Sequence, residues 1–259
     1  AYQPLADYLA ANLGEFGIGI GSVKIAPDIE TMSSWLASGK VDVYVDTPYR
    51  AMAVTMYSDA EPILRCSNGD GSPHHAVFFA RSDSGLTTLS DLNGQIIALE
   101  HVGSTTGFFL PVIHLQESGM KLVEKASPES PVGANEMGYI FTHDDQNTIQ
   151  WVISGKTVAG AVDSYSFAQI SQDDRMQLIV LAETETAPGE MVLTRRGMDL
   201  GLRRSIERVL LGIGNGAGQT VTIRSEPVHF VEFTGETGLS VSLIEEVYEK
   251  SGCETCHAP

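Results

Sequence analysis

Residues 95–118 read QIIALEHVGSTTGFFLPVIHLQES, and three kinds of pattern succeed one another within them. Gln95 to Leu99 is a short apolar run bounded by polar residues, the pattern of a buried strand. From about Thr106 to Ser118 the apolar residues recur at helical spacing, so a helix comes next. Between the two, Glu100-His101-Val102-Gly103-Ser104-Thr105-Thr106-Gly107-Phe108 places three successive hydroxyls between glycines where the helix begins. The first N–H groups of a helix have no partner inside it, and the helix dipole adds partial positive charge there. Such a turn can present hydroxyls and N–H groups to one anion. An ordinary Ser or Thr cap would explain one hydroxyl. It does not explain three in a row with glycine on both sides.

The same alternation extends in both directions. Toward the start, Tyr2 to Leu13 is an amphipathic helix with Leu5, Leu9 and Leu13 at i+4 and Gly14 as its stop. Ile18, Ile20, Val23 and Ile25 suggest a short strand. Pro27-Asp28 caps a helix carrying Ile29, Met32, Trp35 and Leu36, closed by Gly39. Val41 to Val45 is a strand, Thr47-Pro48 opens another helix, and His75 to Arg81 is a strongly apolar strand. Toward the end come strands at Met137 to Phe141, Val158 to Val162, Leu178 to Ala182 and Met191 to Thr194. Helices run from Asp144 to Ser154, Leu200 to Leu211 and Ser240 to Glu249. Gly212 to Gly218 is glycine-rich but lacks the Lys-Ser/Thr pair of a phosphate loop, so it reads as a helix end and loop. Alternating strands and helices predict an α/β fold with helices covering the sheets. The polar runs Ser82 to Gly85 and Glu183 to Gly189 interrupt that rhythm. They predict two lobes joined by two crossings: lobe 1 from residues 1–82 and 190–252, lobe 2 from 83–189, and a tail at 253–259.

Other strand ends also carry polar groups. Thr142-His143-Asp144 makes Asp144 the natural N-cap and puts His143 just outside the helix, where an imidazole can donate to an oxyanion. Ala161-Val162-Asp163 ends a strand in an acid, which suits a ligand bringing a proton or an amine. Val43-Tyr44-Val45-Asp46-Thr47-Pro48-Tyr49 adds aromatic walls in the first lobe. Each has a plainer reading, as a surface histidine, a helix cap or a core aromatic. Their convergence at the carboxyl ends of strands, where open α/β sheets bind ligands, favours a site.

Composition narrows the function. Sixteen basic residues against 33 acidic ones give a net charge of −17. That field repels nucleic acid and anionic lipid, and it leaves any bound anion to local donors. No run of about 18 apolar residues is present to span a membrane. There is no basic, apolar signal segment, and the chain opens on Ala1-Tyr2-Gln3-Pro4, which suggests a processed or trimmed product. No Ser-His-Asp order, H-E-x-x-H motif or P-loop appears, so the expectation is binding, not catalysis. Three cysteines do not make a disulfide scaffold. Two of them form Cys253-Glu254-Thr255-Cys256-His257, the C-x-x-C-H spacing of c-type haem attachment, which leaves a haem-bearing region, a local disulfide or a metal-binding tail open.

Taken together, the sequence resembles the phosphate/phosphite/phosphonate-binding group of ABC-transporter periplasmic substrate-binding proteins. The matching pieces are Tyr2 to Leu9, Ser38-Gly39-Lys40-Val41-Asp42 with Thr47-Pro48-Tyr49, Asp83-Ser84-Gly85, Ser90 to Gly94, Gly103 to Gly107 with Leu110-Pro111, and Gly155 to Ala161. The resemblance implies a two-lobed type II periplasmic binding fold with two crossings and a cleft between the lobes. It also implies a periplasmic monomer that closes by a hinge over a small oxyanion and hands it to an ABC permease. It assigns Ser104, Thr105 and Thr106 to the phosphoryl-type oxygens, with Tyr49 or Tyr44, His143 and Asp163 around them, and no cofactor in the cleft. Two departures stand out. The strand that family members carry before the Tyr2 helix is absent, so either it was not included or another element replaces it. Cys66, next to Pro62-Ile63-Leu64-Arg65, is not general to the group. A branch of similar proteins senses arsenite through a cysteine and signals to a histidine kinase, and a soft thiolate would suit that ligand. Burial in a core is the plainer fate of Cys66.

Overall fold

The first helix, α1 (Gln3–Asn12), has Pro4 in its first turn and buries Leu5 and Ala10. The structure is a computed structural model, and it describes residues 2–68, 74–187, 189–214, 220–223 and 226–232. The expected helix at 240–249, residues 215–218 of the glycine-rich run and the tail at 253–259 lie outside the described residues.

After α1 the expected strand around Ile18 to Ile25 does not form, and Ile20 and Ile25 are 88% and 89% exposed. Alternation alone does not make a strand; a neighbouring backbone must accept its hydrogen bonds, and among the described residues none does so. Helix α2 (Ile29–Ala37) starts where Asp28 accepts a hydrogen bond from the Thr31 N–H. Then come β1 (Val43–Asp46), α3 (Pro48–Ser58), β2 (Glu61–Asn68) and β3 (Ala76–Arg81). Strand β4 (Ile96–Leu99) leads into a π-helical turn at Thr105–Phe109 and α4 (Leu110–Glu117). Next are β5 (Leu122–Glu124), β6 (Met137–Phe141), α5 (Asp145–Ile153), β7 (Ala159–Asp163), α6 (Ser164–Ala168) and α7 (Gln172–Arg175). The described chain closes with β8 (Leu178–Glu183), β9 (Glu190–Thr194), α8 (Leu200–Leu211), β10 (Thr222–Ile223) and β11 (Glu226–Glu232).

These elements form two compact units. The first contains residues 2–68 and the described residues from 189 to 232. Its five strands run in the order β1-β9-β2-β11-β10, every neighbour antiparallel. Alternate residues of β1 feed different cores: Val43 and Val45 pack with Leu64, Val192 and Phe230, whereas Tyr44 packs with Leu36, Val54 and Leu193. That is the period-two geometry of a strand.

The second unit contains residues 74–187, with six strands in the order β5-β6-β4-β7-β3-β8. Strands β5, β6, β4 and β7 are parallel, and β3 is antiparallel to both β7 and β8. Parallel neighbours need crossover helices, which α4 and α5 supply. The first crossing was expected at 82–85, with His75 to Arg81 left in the first lobe. The structure instead places β3 inside the second sheet, and the division falls before His74. The reason is visible in the strand itself: Ala76 to Ala80 are all buried, so the run has to lie between two strands and be covered on both faces.

The helix expected from Thr106 begins differently. The N–H groups of Phe109 and Leu110 reach the carbonyls of Ser104 and Thr105, five residues back. Pro111 has no N–H to offer to the carbonyl of Gly107, and that carbonyl accepts the Glu100 N–H at 3.0 Å. The widened turn thereby ties the helix start to the end of β4.

Candidate functional site

In the second sheet β4 lies between β6 and β7, so three parallel strands end side by side. The polar residues at these three ends converge on one region. After β4 come Glu100 and the hydroxyl turn, after β6 comes His143, and β7 ends in Asp163.

Ser104 caps the turn: its Oγ accepts the Gly107 N–H at 2.9 Å. Ser104 and Thr105 are buried, and Thr106 is half-buried. Gly107 is required by the approach of Glu100. A Cβ at residue 107 would lie 2.5 Å from both Cβ and Oε2 of Glu100 and 2.9 Å from Ser104 Oγ. Burial pushes the Glu100 carboxyl up, but hydrogen bonds from His101 and Ser104, with the nearby His101, outweigh it and hold the group below the usual carboxylate range. The Gly103 N–H donates to His101 Nδ1 at 3.0 Å, which leaves Nε2 as the ring nitrogen facing Glu100 Oε1, 3.3 Å away.

His143 has φ +65°, the left-handed region that few non-glycine residues enter. Its N–H donates to the Glu100 carbonyl at 2.7 Å, and its exposed ring lies 6.4 Å from that of Phe141. Asp144 caps α5 as the sequence predicts, accepting from the N–H groups of Gln146 and Asn147. Asp163 caps α6 by accepting the Tyr165 N–H at 2.8 Å, and both its oxygens lie 3.0 Å from His74 Nδ1. Its carboxylate is therefore already engaged.

Asp145 completes the group. Its carboxyl is pushed up to about 7, first by burial, then by the charge of Glu100 and further by Asp163 and Asp144, with a hydrogen bond from Ser166 opposing the shift. Neither Asp145 nor His74 was visible as a site residue in the sequence. Asp145 looks like any acid in a first helical turn, and His74 meets Asp163 only through a sheet that joins positions 89 residues apart. Glu100 had a usable signal, being the residue directly after an apolar strand.

The candidates of the first unit sit differently. Tyr44 belongs to a core cluster and is 7% exposed, so the sequence reading of an aromatic wall gives way to a core residue whose hydroxyl donates to Asp46 Oδ2 at 2.6 Å. Tyr49, on α3, is 1% exposed. Cys66 is also 1% exposed, packed among Leu64, Val192 and Phe230, and burial together with Glu190 pushes its thiol up to about 12. A thiol in that state is protonated at working pH, so Cys66 does not supply the accessible thiolate that an arsenite ligand requires. Among the described residues no group of His, Cys, Asp and Glu is placed to hold a metal ion.

Comparison with known proteins adds to this geometry. The model of a family described as ABC transporter, phosphonate, periplasmic substrate-binding protein matches residues 1–234. XAC2383 from Xanthomonas citri, solved bound to ATP, is 25% identical, with 96% of this chain and 90% of that one covered and a TM-score of 0.80. PhnD1 from Prochlorococcus marinus, in complex with methylphosphonate, is 13% identical over 96% of this chain and 92% of its own, with a TM-score of 0.65. A binding protein component of an ABC phosphonate transporter from Pseudomonas aeruginosa is likewise 13% identical, covering 96% and 89%, with a TM-score of 0.63. The last two speak to the fold alone, which is that of the type II periplasmic binding proteins. No curated protein matches the sequence significantly.

Proposed function

The chain belongs to the family of ABC-transporter periplasmic substrate-binding proteins for phosphonates, and from that premise we propose that it binds a small phosphorus oxyanion of the phosphonate, phosphite or phosphate class at the Ser104–Gly107 helix start. The family implies a small-molecule ligand and an ABC permease as partner, and a role in transport rather than catalysis. Among the described residues no helix is long and apolar enough to cross a membrane. Action in the periplasm as an exported, monomeric carrier that closes on its ligand belongs to the same proposal.

The observation that carries the reading is the hydroxyl turn, seated at a helix start beyond the carboxyl end of a central parallel strand. Thr105 and Thr106 with the N–H groups of that turn are the proposed donors, and His143, one strand away, is a further one. The ATP bound by the 25%-identical Xanthomonas protein supports phosphoryl oxygens as the shared chemistry. A thermal-shift panel with phosphate, phosphite, methylphosphonate, aminoethylphosphonate and ATP tests it. A ligand at about 100 times its Kd adds about 2.7 kcal/mol of stability. A shift with one of these that Thr105→Ala weakens supports the assignment. A full-sized shift that survives both Thr105→Ala and Thr106→Ala removes the turn from the site.

A second reading concerns the tail and rests on its spacing alone. We propose that Cys253 and Cys256 carry a covalent haem with His257 as iron ligand. Haem-linked peroxidase staining of a denaturing gel, after expression with a cytochrome c maturation system, checks it. Staining that persists in Cys253→Ala/Cys256→Ala removes that reading.

A further inference from the structure

The stretch 74–187 of the second unit begins at His74 and ends at Ala187, and these two residues meet. They form an isolated antiparallel bridge in which the Ala187 N–H donates to the His74 carbonyl at 2.6 Å. Further bonds lie just inside it. The Ser164 N–H donates to the His75 carbonyl at 2.9 Å, and the Thr184 N–H to that of Ala76 at 3.0 Å. The two ends of the stretch are therefore fastened to each other and to the strands behind them.

His74 also reaches the proposed site. In the sheet Ala76 pairs with Asp163, the last residue of β7, so His74 lies just past the carboxyl end of that strand. Its Nδ1 is 3.0 Å from both oxygens of Asp163, and Asp163 Oδ1 also accepts the Tyr165 N–H at 2.8 Å. The Asp163 side chain is 15% exposed, against 37% for that of His74, so the acid is the more enclosed partner. It is held from two directions, by the start of α6 and by a ring carried on a bridged residue. Asp163 in turn acts through its charge on Glu100 and Asp145. An ordinary surface pair would join neither the bridge nor the site, whereas this one joins both.

We propose that His74 is a positioning residue that links the oxyanion site to the bridge: its ring fixes the Asp163 carboxylate, and its carbonyl carries the state of that carboxylate to the Ala187 N–H. The inference rests on the oxyanion reading of the site. An ionised carboxylate only accepts hydrogen bonds, so an ionised Asp163 is held by a proton on Nδ1. A ligand that donates to Asp163 restrains the carboxylate further and the ring with it. A restrained His74 opens its backbone bond to Ala187 less often, and amide hydrogen exchange reads such local opening.

The test is exchange at the Ala187 amide, followed by NMR with and without saturating methylphosphonate, or phosphate if methylphosphonate does not bind. The proteins compared are the parent and His74→Ala, which removes the ring and leaves the backbone bridge in place. Ligand is expected to slow Ala187 exchange by about threefold or more in the parent and to leave it unchanged in His74→Ala. Calorimetry should show His74→Ala weakening the ligand by about threefold to tenfold. His74→Asn, which keeps an N–H donor near the place of Nδ1, should recover most of both effects. Combined with Asp163→Asn, His74→Ala should cost no further affinity. Equal slowing in the parent and in His74→Ala overturns the link, as does an equal loss of affinity from His74→Ala with and without Asp163→Asn. The parent alone carries a test that needs no variant to fold: ligand binding that leaves Ala187 exchange unchanged also overturns the link. A parent that binds neither methylphosphonate nor phosphate would remove the oxyanion reading itself, and the link with it.

Discussion

Strand-to-helix junctions in the two units place acids where a strand hands over to a helix, and they treat them in opposite ways. At the end of β1, Asp46 accepts from the Tyr44 hydroxyl and the Thr47 N–H and forms an ion pair with Arg50, Oδ2 lying 3.2 Å from Nε. The acid there has a guanidinium partner, and burial next to Asp46 pushes the Tyr44 phenol far above its ordinary range. Beyond β4, β6 and β7, Glu100, Asp145 and Asp163 lie near histidines, serines and one another. The first arrangement carries fixed, matched charge and works as scaffold. The second holds charge that protons or a ligand can change. Junctions that look alike in sequence therefore divide into structure and chemistry by what surrounds the carboxylate.

The largest expected effect sharpens that contrast through pH. Asp145 rises from 3.8 to about 7 on folding. Between those values the unfolded chain binds fewer protons than the folded one, so stability falls as pH climbs from about 4 to about 7 and levels off above. The shift corresponds to a cost on the order of 4 kcal/mol, shared with Glu100 and Asp163 through their coupling. Asp145→Asn should remove most of that slope in urea denaturation at pH 4.5 and 7.5. Equal slopes in parent and variant would break the contrast.

Next in size is Asp46→Ala, which leaves the buried Tyr44 hydroxyl without its acceptor and Arg50 without its partner. A loss of about 2–3 kcal/mol is expected. It should be the same at pH 5 and pH 8, since Tyr44 stays protonated throughout. A strong pH dependence would place this junction with the titrating group. Ser104→Ala removes the cap on Gly107 and should cost about 1–2 kcal/mol of stability. Loss of ligand affinity with no loss of stability would instead make Ser104 a direct ligand donor. The smallest effect belongs to Cys66: Cys66→Ala should cost about 1 kcal/mol, and the native thiol should resist iodoacetamide until urea unfolds the first unit. Rapid alkylation of the folded protein would contradict its place in the core.

Much of this was legible from residue order. Apolar periodicity gave α1, α2, β3, β6, α5 and α8 nearly to the residue, and Asp28 and Asp144 announced their caps. The hydroxyl turn was legible because three donors between glycines are unusual. What escaped had non-local causes. The strand at Ile18 to Ile25 had the right alternation and no strand partner among the described residues. The place of β3 depended on which sheet would cover both its faces. The π-helical entry to α4 came from a proline whose missing N–H matters only once Glu100 is opposite. Glu100, Asp145 and His74 share one property: each draws its meaning from a partner that the fold, and not the local sequence, brings near.

His143 gives the comparison an economic edge. An L-residue with a side chain held at φ +65° costs roughly 1 kcal/mol that glycine would not. The replacement that best suits the backbone is thus the one that discards the imidazole. A screen for heat resistance would drift toward His143→Gly, and a screen for ligand retention would drift back. Opposite answers from the two screens would identify residue 143 as a place where durability has been traded for recognition.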